Sequence, residues 1–113
     1  MPPFLPHLRT VSPNAHSEPG YYEDGAFGIR IENVLVVEKA EPACKYGGGV
    51  WLRFAPLTCV PISTRAVDVA QLSAKEVAWL NDYNAWCRAT LEPLLQGEPL
   101  ALAWLGRECA PIG

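Results

Sequence analysis

The sequence predicts an α+β chain, antiparallel strands first and two helices after them. Three observations carry this. Residues 27–38, FGIRIENVLVVE, are β-branched and apolar, the composition that fits a pleated strand. Ser73-Ala-Lys-Glu76 has the form of a capping box, in which a Ser oxygen and a Glu carboxylate satisfy N–H groups at a helix start. Beyond it, apolar residues recur at helical spacing as far as Leu91.

Ahead of the strands, residues 1–17 contain four prolines and no periodic apolar pattern. They read as a flexible leader, without the continuous apolar run of a secretory signal. His7 and His16, the chain's two histidines, read as solvated leader side chains.

The next stretch, EPGYYEDGAFGIRIEN (18–33), suits a hairpin. A three-residue loop at Asp24-Gly25-Ala26 is an ordinary length, and Gly25 supplies a positive φ. Glu23 then faces Phe27, and counting outward in step along both strands sets Glu18 opposite Glu32. Alternation puts Ile29 and Ile31 on one face, and Arg30 and Glu32 on the other. Two carboxylates facing each other across a ladder repel; a cation between them reverses the sign. The alternative is a solvated hairpin whose acids splay apart, and a one-residue shift in the loop is enough to produce it.

KAEPACKYGGG (39–49) has the punctuation of a loop. Its three glycines are followed by neither Lys-Ser/Thr nor a helix, so a plain connection is favoured over a phosphate cradle. A second strand-like run, VWLRFAPLTCVPI (50–62), contains Pro56 and Pro61. Each removes a ladder donor, which makes this strand an edge or breaks it.

Helix begins from about Asp68. Val77, Leu80, Asn84, Cys87 and Leu91 share a stripe, with Trp79, Tyr83 and Trp86 on adjoining faces. Pro93 and Gly97-Glu98-Pro99 end it, and LALAWLGREC (100–109) forms a shorter helix before Pro111. Aromatics at such spacing are core or interface more often than a ligand pocket.

Bulk properties exclude several classes. At 113 residues this is one domain or a piece of one. A net charge of −3, with nine Lys and Arg and no basic run, argues against nucleic acid. No apolar stretch approaches the roughly 20 residues of a membrane span. Cys44, Cys59, Cys87 and Cys109 are scattered without a CxxC pair, so zinc-site spacing is absent. Reduced thiols in the cytoplasm fit that pattern.

EPGYYEDGAFGIRIEN resembles the signature of aminopeptidase P (Xaa-Pro aminopeptidase), in the pita-bread superfamily of dinuclear metallopeptidases. The likeness runs on through VLVV, RFAPLTCVPI and DVAQLSAKEVAWLNDYNAWCR to ALAWLGRECAPI. The resemblance implies a partial pita-bread lobe over 18–64 and a helical extension over 65–113. Residues 1–17 stand outside it.

By the same resemblance, Glu18 and Glu32 match the family's two metal-ligand glutamates, the second bridging both ions. Arg30 matches an arginine beside it, with an orienting ion-pair role. Two aspartates and a histidine complete the family's set around two divalent ions, commonly manganese, which hard carboxylates suit. The pair activates water to attack the carbonyl before proline, so the implied substrates are peptides with proline at the second position.

Asp24 is the first aspartate in the chain, so the upstream ligands have no counterpart and no catalytic set is complete. The expectation is a C-terminal piece of such an enzyme joined to an unrelated start, inactive alone. Two carboxylates hold an ion weakly at best, with most of its shell left as water. The competing readings are a non-catalytic interaction module, forming a homodimer through the C-terminal helices, and the product of a truncated gene model. In either case the isolated chain is expected to associate.

Overall fold

The structure, a computed structural model, describes residues 14–113. His7 lies outside the described residues. The chain divides into two compact units, one ending at Thr58 and the other beginning at Cys59.

The first unit holds five strands: β1 (Asn14–Ser17), β2 (Gly20–Glu23), β3 (Phe27–Arg30), β4 (Asn33–Lys39) and β5 (Leu52–Pro56). β2 and β3 form a two-stranded sheet; β1, β4 and β5 form a second sheet with β4 in the middle. The hairpin register is the one the sequence predicts. Glu23 pairs with Phe27, Tyr21 with Ile29 and Gly20 with Arg30. The loop has Gly25 at φ 73° and is closed by Ala26 N–H donating to Glu23 O at 3.1 Å.

That register does not end with β2 and β3. Ile31 N–H donates to Pro19 O at 3.0 Å. Beyond Glu18 and Glu32 the pairing resumes in step, Ser17 with Asn33, His16 with Val34 and Asn14 with Val36. β1–β2 and β3–β4 are thus the two arms of one long hairpin, and the opposed glutamates stand at its interruption.

Two sequence expectations change here. Residues 14–17, read as leader, are strand. β4 carries a row of backbone groups on the side away from β5, and a chain already in register satisfies them. The run 27–38 is likewise broken at Ile31-Glu32 rather than continuous.

Among the described residues β5 pairs with β4 alone, Val37 facing Phe54 and Leu35 facing Pro56. Pro56 ends it, as a residue without an N–H does at an edge. Thr58 then turns back on the sheet: its Oγ1 accepts from Val34 N–H at 2.8 Å. Among the described residues of this unit none is buried.

The second unit contains the core. A 3₁₀ turn (Val69–Gln71) leads to α1 (Ala74–Leu91), a second 3₁₀ turn (Glu92–Leu95) and α2 (Pro99–Glu108). The capping box forms as read: Ser73 N–H donates to Glu76 Oε2 at 2.8 Å, and Glu76 N–H to Ser73 Oγ at 3.3 Å. Tyr83 and Cys87 from α1 pack with Leu105 and Cys109, and Cys59, Ile62, Leu91 and Leu95 border them.

Residues 59–64, read with the strands, belong to this unit because α1 holds their backbone. Tyr83 OH donates to Val60 O at 3.1 Å. Asn84, 2% exposed, accepts from Ile62 N–H at 2.9 Å and donates to Ile62 O at 3.0 Å. Asn81 clasps Ile112 in the same two-way manner, at 2.9 Å each way. Of the aromatic stripe only Tyr83 is buried. Trp79 stacks on it at 6.0 Å, and Trp79, Trp86 and Trp104 remain 58%, 38% and 42% exposed.

Candidate metal centre

The even-numbered face of the long hairpin carries its polar chemistry. His16 and Glu18 lie on one arm, Arg30 and Glu32 on the other, and alternation points all four the same way. Ligand atoms of His16, Glu18 and Glu32 all lie within 4.8 Å of one another. His16 Nδ1 is 3.3 Å from Glu18 Oε1.

Arg30 joins the glutamates. Its Nη1 donates to Glu18 Oε2 at 3.0 Å and stands 3.9 Å from Glu32 Oε2. Its Nε donates to the Tyr22 hydroxyl at 2.6 Å, with the guanidinium 5.7 Å from that ring's centre. The Tyr22 bond, with Glu18 and Glu32 nearby, holds the guanidinium above its ordinary pKa.

Glycine makes the arrangement possible. A Cβ on Gly28 would lie 2.7 Å from Tyr22 Cδ1, and one on Gly20 would lie 2.5 Å from the Tyr22 hydroxyl. Both glycines clear the bed on which the Tyr22 ring lies, and that ring sets the height of Arg30.

The opposite face is apolar. Tyr21, Phe27, Ile29 and Ile31 are all exposed there, with the Tyr21 and Phe27 rings 5.9 Å apart. Tyr21 OH donates to Glu23 Oε1 at 2.7 Å, which raises the phenol's pKa.

Glu18, Arg30 and Glu32 are therefore brought together, as the hairpin register predicts. His16 corrects the sequence reading. It is a strand residue two places before Glu18 and on the same face, though its side chain stays 57% exposed. The signal was the spacing: a strand extended upstream of Glu18 puts positions 16 and 18 side by side.

The donor set fits a divalent cation. Two carboxylates offer hard oxygen and one imidazole offers borderline nitrogen, and two of the three already converge with an arginine holding their far oxygens. Among the described residues no other cluster of three or more potential ligands occurs.

The chain is similar to known proteins along most of its length. A family model described as the C-terminal region of peptidase M24 matches residues 50–112. Aminopeptidase P2 of Arabidopsis thaliana is 49% identical over 96 residues, covering 85% of this chain and 13% of that protein. Aminopeptidase P1 of Lotus japonicus is 38% identical and covers 96% of this chain, a span that reaches upstream of Glu18, and 18% of its own length. Among solved structures, the X-prolyl aminopeptidase of Caenorhabditis elegans, described as a cytosolic enzyme with a di-nuclear active site, superposes with a TM-score of 0.76. It is 38% identical, and the match covers 88% of this chain and 16% of that one. The chain thus spans less than a fifth of the relatives it matches. Its sheets and paired C-terminal helices are part of a pita-bread fold, and the chain belongs to the aminopeptidase P family of metallopeptidases.

Proposed function

We propose that this chain supplies the C-terminal part of a dinuclear, metal-dependent Xaa-Pro aminopeptidase, which removes the N-terminal residue preceding proline in cytoplasmic peptides. The observation that carries this is the face-to-face placement of Glu18 and Glu32, with Arg30 between them. When bound, a divalent pair, manganese in the first instance, supplies Lewis-acid activation of water and of the peptide carbonyl. Glu18 and Glu32 hold charge at fixed positions on the hairpin. Arg30 neutralises the like-charge pair and fixes which carboxylate oxygens remain free. Tyr22 keeps the guanidinium in place.

The chain alone is inactive on this reading, because residues 18–113 carry two of the ligands and no aspartate precedes them. Assaying purified chain on an Xaa-Pro peptide, with and without Mn²⁺, should give no release of the first residue. Turnover that disappears in Glu32→Ala would overturn the inactivity while supporting the family chemistry.

One observation favours a second reading, a non-catalytic module that self-associates through its helices into a homodimer. Trp79, Trp86 and Trp104 leave a large aromatic area exposed on the helical unit, and apolar patches of that kind mark interaction sites. No described helix is long and apolar enough to cross a membrane. Sedimentation of Trp79→Ser/Trp104→Ser beside the natural chain decides it: an unchanged mass removes the helices as the contact.

A further inference from the structure

We propose that His16 is a third metal ligand. With Glu18 and Glu32 it holds a single divalent first-row transition cation on this chain, without ligands from elsewhere. The inference rests on reading the two glutamates as metal ligands and adds a residue which that reading does not use.

Geometry comes first. A cation with bonds of about 2.1 Å holds its ligand atoms no more than about 4.2 Å apart. The three donors already lie within 4.8 Å of one another, and His16 Nδ1 is 3.3 Å from Glu18 Oε1. The remaining closure falls within a χ-angle adjustment of exposed side chains.

The backbone beneath them is pinned on both sides. His16–Val34 and Ser17–Asn33 pair on one side of the glutamates, Pro19–Ile31 and Gly20–Arg30 on the other. Ligands carried on paired strands stay closer to productive geometry than ligands carried on loops.

Arg30 sets which oxygens are free. It takes Glu18 Oε2 and faces Glu32 Oε2, leaving Glu18 Oε1 turned towards His16. A cation on that side meets one imidazole nitrogen and two carboxylates, and water completes its shell.

The ligand type names the ion class. Imidazole is a ligand for first-row transition cations such as Fe²⁺, Ni²⁺ and Zn²⁺, whereas Mg²⁺ and Ca²⁺ are held by oxygen. If His16 were only an exposed ion-pair partner of Glu18, it would contribute almost nothing to cation binding.

The test is a Mn²⁺ titration of the full chain, followed by calorimetry and by paramagnetic broadening of histidine ring signals. Manganese is the probe because thiols compete poorly for it, and the chain's two histidines keep the spectrum simple. Expected are one site, broadening of the His16 ring signals, and affinity about tenfold weaker or worse in His16→Ala and His16→Gln. Natural affinity in His7→Ala and weak Mg²⁺ binding are also expected. Circular dichroism matching the natural chain shows that the variants fold. Binding kept in both His16 variants but lost in Glu32→Ala overturns the role of His16 and leaves the glutamate pair standing. Binding unchanged in Glu32→Ala overturns the glutamate reading and this inference with it. No binding to the natural chain overturns the self-sufficient site.

Discussion

Arg30 reaches across the hairpin and donates to Glu18 at 3.0 Å from the arm that also carries Glu32. One guanidinium thus stands where two facing carboxylates would repel. All three groups are about half exposed or less, so solvent screens the attraction. The arrangement positions charge more than it stabilises the fold.

The first prediction concerns how Arg30 is held. Gly28→Ala would place a Cβ 2.7 Å from Tyr22 Cδ1, and the ring must move. The 2.6 Å bond from Arg30 Nε to the Tyr22 hydroxyl is then expected to break. Nuclear Overhauser contacts between the Tyr22 ring and Gly28 Hα should be present in the natural chain. In the variant, the Arg30 Nε–H signal should broaden. A variant with an unchanged Arg30 signal would show that Tyr22 does not position it.

Asn84 gives the second. It is fully enclosed and makes bonds to both the N–H and the C=O of Ile62, and a longer one to Glu108 O at 3.4 Å. Asn84→Ala leaves those backbone groups without a partner in a site where water does not reach. The expected cost is about 1–3 kcal/mol. Asn84→Leu should not recover it, because volume is not what the site lacks. Denaturant unfolding followed by fluorescence of Trp79, Trp86 and Trp104 reads the helical unit, with Trp51 the only tryptophan outside it.

The helices were legible because their signals are local. Ser73 and Glu76 fix the start of α1 whatever packs on it, and the Leu80–Asn84–Cys87 stripe is buried as its spacing says. The hairpin register was legible too, since a three-residue loop and Gly25 leave one way to count outward. β1 was not. Nothing in NAHS favours a strand by composition, and it forms one only because β4 lies in step across from it. Reading His16 as a leader residue followed from that single omission. The division after Thr58 was missed for a similar reason: residues 59–64 read as strand, yet Tyr83 and Asn84, far along the chain, claim their backbone.

Thiol chemistry supplies the third prediction. Burial pushes the Cys87 thiol up to about 11 from an ordinary 9.0, and burial also raises Cys109. Cys44 is exposed. Alkylation with iodoacetamide near pH 8 should modify Cys44 first and spare Cys87 and Cys109 until the helical unit unfolds. The linkage has a definite sign. With the folded pKa above the unfolded one, the folded state holds more protons between them, so stability is complete below about pH 9. It is expected to fall as pH rises from about 9 to about 11, and Cys87→Ala should flatten that fall. Equal labelling of Cys44 and Cys87 in the folded chain would contradict the burial argument.

The last prediction is association of the isolated chain. The strand unit has no buried residue among those described, so its sheets stand without a core of their own. Tyr21, Phe27, Ile29 and Ile31 present an exposed apolar face on one side of the hairpin, between 46% and 57% accessible. Among the described residues β2 and β3 each have an unpaired edge, as do β1 and β5. Unpaired edges beside apolar faces invite pairing between chains, and a net charge of −3 opposes it weakly. Sedimentation at micromolar concentration should show species heavier than the 12.4 kDa monomer. Ile29→Lys and Ile31→Lys place charge on the apolar face without touching Glu18, Arg30 or Glu32, and are expected to shift the distribution towards monomer. If they leave it unchanged while Trp79→Ser shifts it, the contact runs through the helices, and the open hairpin face is not what drives assembly.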